Sequence, residues 1–192
     1  MTRICILPIV LAAACADPIG SELPDAAPPS PQTGKVRTTR DPSTGVSTTV
    51  VDATSMTGWT YADFETGGEV ETTAPWDLRF QRFHISTNGG ESGTGGVQVA
   101  VLAGKTFAQV TSAPASGYIS DAPDANGDGQ PEFAFEQGDG WYEYDGTTHQ
   151  LKPRPNVYVV KTAGGATVKL AIVSYYDGAG TSGWLSLQWA AL

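Results

Sequence analysis

From Lys35 to the C-terminus, stretches free of Gly and Pro reach only about a dozen residues, and within them apolar side chains recur at every second position. A period of two sends alternate side chains to opposite faces of a pleated strand. An amphipathic helix needs apolar positions three and four apart over a longer run. The chain therefore has material for strands and offers no convincing helix. Residues 46–51 are Thr-rich and β-branched; Trp76, Leu78 and Phe80 alternate with Asp77, Arg79 and Gln81; Val97, Val99 and Val101 repeat the pattern. Residues 141–144, 157–162, 168–176 and 184–189 are further strand candidates. In the Trp76 run the apolar phase moves from even to odd positions at Phe83 and Ile85, which predicts a β-bulge or burial of both faces. Asn88-Gly89-Gly90, Asp145-Gly146, Gly164-Gly165 and Asp177-Gly178 are pairs that tolerate positive φ in hairpin turns. The expected fold is all-β, an antiparallel sandwich or a barrel-like pair of sheets, with no internal repeat to favour a propeller.

The N-terminus reads differently. Arg3 supplies a positive charge, residues 4–11 are apolar, and Ala12-Ala13-Ala14 lead directly to Cys15. The apolar run is far short of the roughly 20 residues a spanning helix needs, so it predicts a removable signal peptide over residues 1–14. The arrangement resembles the lipobox of bacterial lipoproteins, with one departure: Leu11 sits one place earlier than that box usually has it. Cys5 would leave with the signal, so Cys15 is the sole thiol of the expected mature chain and no intrachain disulfide can form. Lipidation of Cys15 gives that thiol a role and anchors the protein to a membrane. The lipobox resemblance and Ala16 imply delivery to the outer membrane or cell surface. Residues 15–34 carry Pro18, Pro24, Pro28, Pro29 and Pro31 with little to bury, as a tether would. One β domain is expected over residues 35–192. The net charge of -9 gives a negative field that repels polyanions, so nucleic acid is not an expected partner.

Chemistry-bearing motifs are sparse. No G-x-S-x-G elbow is present, and the Gly-rich run 89–96 lacks the Lys and following helix of a phosphate loop; it reads as a flexible loop. An enzyme is not expected. Asp124, Asn126, Asp128 and Glu132 occupy positions 1, 3, 5 and 9 of a calcium-loop pattern with Gly129 at position 6. Position 12 is Phe135 rather than Glu, and Asp, Asn and Gly are equally the residues of Asx turns, so a structural Ca2+ site and a plain turn both fit. The expected mature chain has two imidazoles, His84 and His149, and one thioether, Met56, any of which could ligate an iron or instead pack structurally.

Two blocks carry a family resemblance. The first holds Trp59-Thr60-Tyr61, Glu65-Thr66-Gly67, and the run from Trp76-Asp77-Leu78-Arg79-Phe80-Gln81-Arg82 through Thr87-Asn88-Gly89-Gly90. The second holds Trp141-Tyr142-Glu143-Tyr144, His149, Pro153, Val157-Tyr158-Val159-Val160-Lys161-Thr162, Lys169-Leu170 and Tyr175-Tyr176. Together they resemble the HmuY family of exported, often lipidated β-rich proteins. The resemblance implies haem capture at the cell surface for an outer-membrane receptor, with iron held by a His pair or by Met. Neither ligand carries over by position, because residues 88–140 contain no His, Met or Cys. His84, His149 and Met56 stand as the haem-ligand candidates. The expectation is a lipid-anchored, non-enzymatic haem- or porphyrin-binding protein. The alternative is a surface structural or protein-interaction module, calcium-stabilised if the Asp124 loop binds Ca2+.

Overall fold

The computed structural model describes residues 34–192, so the signal peptide, Cys15 and almost all of the tether lie outside the described residues. Six strands form the larger sheet: β1 (Val36–Arg40), β2 (Ser47–Asp52), β7 (Gln98–Ala103), β10 (Asn156–Lys161), β11 (Thr167–Tyr176) and β12 (Ser182–Ala191). Their spatial order is β1-β2-β12-β11-β10-β7, and every pairing is antiparallel. A smaller sheet, β4-β3-β5-β6, is built from β3 (Thr60–Asp63), β4 (Gly68–Glu69), β5 (Leu78–Gln81) and β6 (His84–Thr87). Strands β8 (Tyr142–Asp145) and β9 (Gln150–Pro153) make a separate hairpin.

The two larger sheets enclose the core. Alternation supplies it: Leu185 and Leu187 of β12, Val51 of β2, and Leu78 and Phe80 of β5 are almost completely buried while the residues that alternate with them within these strands are only partly so. In β10 the rule is suspended, since Val157, Tyr158, Val159 and Val160 are all buried. Tyr158 and Val160 join the main core, whereas Val157 and Val159 pack on the other face with Val110, Leu102, Phe107 and Tyr118. The segment after β7 thus folds back over the outer face of the sheet. Lys169 clasps it there, donating to the carbonyls of Phe107 (2.9 Å) and Val110 (2.8 Å) with its ammonium over the Phe107 ring.

The run from Trp76 to Ile85 is corrected by the structure. It is not one bulged strand but a hairpin, β5 and β6, in which Gln81 pairs with His84 across the two residues Arg82 and Phe83. The chain reversal produces the change of apolar phase. Arg82 adopts φ +50, a left-handed conformation that costs a non-Gly residue about 1–2 kcal/mol. Four hydrogen bonds hold it: its amide donates to Ala53 O (2.7 Å), and its guanidinium to Thr54 O (3.2 Å), Ser182 O (3.3 Å) and Ser182 Oγ (2.8 Å). The Gly-rich run is likewise closely packed, wound around Asn88. That side chain donates to Trp76 O at 2.7 Å and accepts the Gly95 amide at 3.0 Å. A Cβ on Gly93 or Gly95 would fall 2.1 or 2.5 Å from Asn88 side-chain atoms, so glycine is needed for the close approach.

Candidate functional site

The strained Arg82–Phe83 turn delivers His84 to the start of β6, half-buried among aromatic rings. Its ring centroid lies 4.2 Å from that of Phe83 and 5.3 Å from that of Phe133. Trp59 meets Phe133 edge-on at 5.7 Å, and Tyr142 meets Phe83 edge-on at 5.9 Å. The Arg79 guanidinium lies 4.4 Å from the Trp59 ring and 5.5 Å from Trp76. The buried Trp141 fixes the backbone here by donating its indole N–H to Phe83 O at 2.9 Å.

His84 Nδ1 lies 3.0 Å from Glu136 Oε1. An ionised carboxylate only accepts, so opposite one Nδ1 carries the proton, and in the neutral imidazole Nε2 is then the nitrogen with the lone pair. Among the described residues Nε2 makes no hydrogen bond. A carboxylate on the far nitrogen is the outer-shell arrangement that orients metal-ligating imidazoles. Asp121 holds the two halves of this pair together. Its buried carboxylate accepts from Ser86 Oγ (2.8 Å), Thr87 N (3.1 Å) and Thr87 Oγ1 (2.9 Å) on β6, and from Ala134 N (2.9 Å) between Phe133 and Glu136.

The other predicted ligands have different settings. His149 occupies the exposed β8–β9 turn at φ +55, its Nδ1 bonded to the Tyr144 hydroxyl. Met56 is 76% exposed. Among the described residues no hydrogen bond or ring contact joins His84, which meets Phe83, Phe133 and Glu136, to His149, which meets Tyr144.

In the Asp124 loop, the candidate calcium oxygens turn onto the loop's own backbone. Asp124 accepts the amides of Gly127 (2.6 Å) and Gly129 (2.9 Å), Asn126 that of Asp128 (2.9 Å), and Asp128 that of Gln130 (2.8 Å). Glu132 accepts the Ala125 and Asn126 amides, both at 3.2 Å. These amides, Gly127 foremost, hold the Asp124 carboxyl below its ordinary range. The geometry is a series of Asx turns, closed at its base by the Ala122–Glu132 bridge.

A carboxylate cluster lies where no sequence motif marked it. Asp63, Glu65 and Asp77 offer oxygens within 4.8 Å of one another at the seam between the sheets. Alternation with Trp76 and Leu78 would place Asp77 on a solvated face, yet it is fully buried. Its two oxygens accept Phe64 N (2.8 Å) and Ala163 N (2.7 Å), joining the smaller sheet to the β10–β11 turn. Glu65 accepts the Thr162 hydroxyl on that same turn. Burial pushes Asp77 up to about 7 against the pull of the two amides, with the Glu65 and Asp63 charges adding to the rise. Glu65 is raised as well, by burial and by its hydrogen bond to Asp63.

Two open clefts on the larger sheet lie among the described residues. One, of about 410 Å³, runs beside β7 between Val101, Ala103, Phe135, Asp139, Arg154 and Tyr158. The other, of about 440 Å³, lies on the outer face of the larger sheet among Arg37, Val50, Tyr176, Trp184 and Ser186. Neither is lined by His or Met.

Comparison with known proteins matches this architecture to solved structures. A Bacteroides vulgatus protein described as HmuY-like and haem-binding shares 23% identity, with TM-score 0.56 over 78% of this chain and 93% of that one. An apo HmuY analog from Tannerella forsythia shares 18% identity, with TM-score 0.55 over 74% of this chain and 93% of that one. A Bacteroides fragilis protein described as a lipoprotein shares 20% identity, with TM-score 0.55 over 78% and 90% of the respective chains. At these identities the likeness speaks to the fold. No curated protein matches the chain. The HmuY protein family model matches residues 55–189, from the segment before β3 to near the end of β12, and the chain belongs to the HmuY family.

Proposed function

We propose that this protein is a non-enzymatic, lipid-anchored surface protein that captures haem or a related porphyrin, with His84 as the iron ligand. The observation that carries the reading is the His84–Glu136 pair: a half-buried imidazole, tautomer set by a carboxylate, with Nε2 uncommitted. The residues around it suit the group. Phe83, Phe133, Trp59 and Tyr142 offer ring faces and edges to a flat apolar macrocycle, and Arg79 offers a cation for its propionates. Haem would supply the iron that this imidazole ligates. With His149 bonded to Tyr144 and Met56 exposed, a single protein ligand is expected. Family membership and the haem-binding description of the Bacteroides vulgatus relative support this ligand class.

Anchoring is assigned to Cys15 and the Pro-rich segment after it, which would hold the domain clear of the outer-membrane lipid and present it to a haem-accepting receptor. The test is a visible-absorption titration of the mature domain with haem, run in parallel on His84→Ala, His149→Ala and Met56→Ala at equal folding by circular dichroism. Loss of the iron–imidazole spectrum in His84→Ala alone is expected. No saturable spectral change in the parent would reject haem and leave the fold as a surface interaction module.

A further inference from the structure

The outward edge of β7 is filled along half its length. Val97 donates its amide to Asn88 O at 3.0 Å and accepts the Ser120 hydroxyl at 2.7 Å. Val99 exchanges both of its hydrogen bonds with Ile119, at 2.8 and 2.9 Å. In an antiparallel ladder, groups two residues on point the same way, so the N–H and C=O of Val101 and Ala103 also face away from β10. Among the described residues these four groups have no hydrogen-bond partner. Both residues are exposed, and both line the 410 Å³ cleft. Across it, Arg154 is tied through Nε to Asp139 O at 2.9 Å, and its two terminal nitrogens have no partner among the described residues. Phe135 and Tyr158 give the cleft an apolar side.

We infer that this edge is a strand-addition site for an extended segment of a partner protein, one bearing an acidic side chain. The partner's main chain would continue the line begun by Ile119, pairing with Val101 and Ala103, and its carboxylate would take the free fork of Arg154. Unpaired edges are ordinarily blunted by Lys, Pro or a bulge, and Val101 to Ala103 carries none of these. The site is separate from the haem reading, since His84 does not line this cleft.

Strand addition draws its affinity from main-chain bonds, so a generic probe suffices. The probe is the capped pentapeptide acetyl-Thr-Val-Asp-Val-Thr-amide, with an Asn-for-Asp version beside it. In the parent, amide hydrogen exchange at Val101 and Ala103 should slow at least tenfold with millimolar Asp peptide. Val101→Pro should abolish binding, since it removes an edge donor the fold does not use; Ala103→Pro serves if that variant misfolds. Arg154→Gln should weaken the Asp peptide about tenfold and leave the Asn peptide unchanged. Unaltered exchange at both amides, or binding that survives the Pro variants, overturns the site. Equal loss of both peptides in Arg154→Gln overturns the acidic partner.

Discussion

Asp77 sets two effects of known sign against each other. Burial and the neighbouring Glu65 and Asp63 carboxylates favour its protonated form, while the Phe64 and Ala163 amides favour the anion. Burial wins, raising the group from 3.8 to about 7. A folded-state value above the unfolded one means that the native protein holds the proton more tightly. Asp77 therefore contributes its full stability below pH 3.8 and loses it progressively as the pH rises through about 7. At about 1.4 kcal/mol for each pH unit in that window, the fall approaches 4 kcal/mol. Asp77→Asn removes the titration at a fixed cost of about 1–3 kcal/mol, because an amide NH2 must face one of the two buried N–H donors. Urea unfolding of both proteins, measured in steps between pH 4 and 7.5, separates these effects. The parent should lose stability relative to Asp77→Asn as pH rises, so that the two curves converge and then cross before pH 7.5. Parallel curves, or an Asp77 carboxyl 13C resonance that titrates near pH 4, would show that the two amides dominate and refute the reasoning.

Further outcomes follow from particular contacts. Arg82→Ala keeps the left-handed strain and loses three guanidinium bonds, so it should destabilise by about 2–4 kcal/mol. Arg82→Gly loses the same bonds but relieves the strain, and denaturant unfolding should find it about 1 kcal/mol more stable than the Ala variant; equality would remove the strain argument. Asp121→Ala should loosen the Phe133–Glu136 segment from β6 and weaken haem binding at least tenfold while leaving His84 in place, with Asp121→Asn partly rescuing it. Asp124→Ala should lower the melting temperature by removing two amide contacts, and a parent melting temperature equal in millimolar Ca2+ and in chelator would establish the loop as a turn alone. Cys15→Ser in the full precursor should release the protein from membranes into the soluble fraction; unchanged sedimentation would refute the anchor.

What the sequence made legible is what period and turn chemistry encode. β7, β11 and β12 fall on runs whose alternation is visible, because a strand with one buried face must write that face at every second residue, whereas β2 falls on a Thr-rich, β-branched run and β10 on a continuous apolar one. Reading failed where tertiary bonds replaced local signals. The β5–β6 turn carries no Gly or Asn, since Thr54 and Ser182, distant in sequence, stabilise the positive φ of Arg82; only the unexplained change of apolar phase gave it away. Asp77 and Asp121 likewise look like solvated polar positions, and their burial depends on amides from Phe64, Ala163 and Ala134 that no spacing rule brings near. The same holds for the candidate site. His84 was visible as one of two imidazoles, but what separates it from His149 is Glu136, which lies 52 positions away and reaches Nδ1 only because Asp121 joins the Ala134 backbone to β6. A candidate ligand can be read from residue type. Its tautomer and its free lone pair are properties of the fold, and they make His84 rather than His149 the residue on which the haem reading stands or falls.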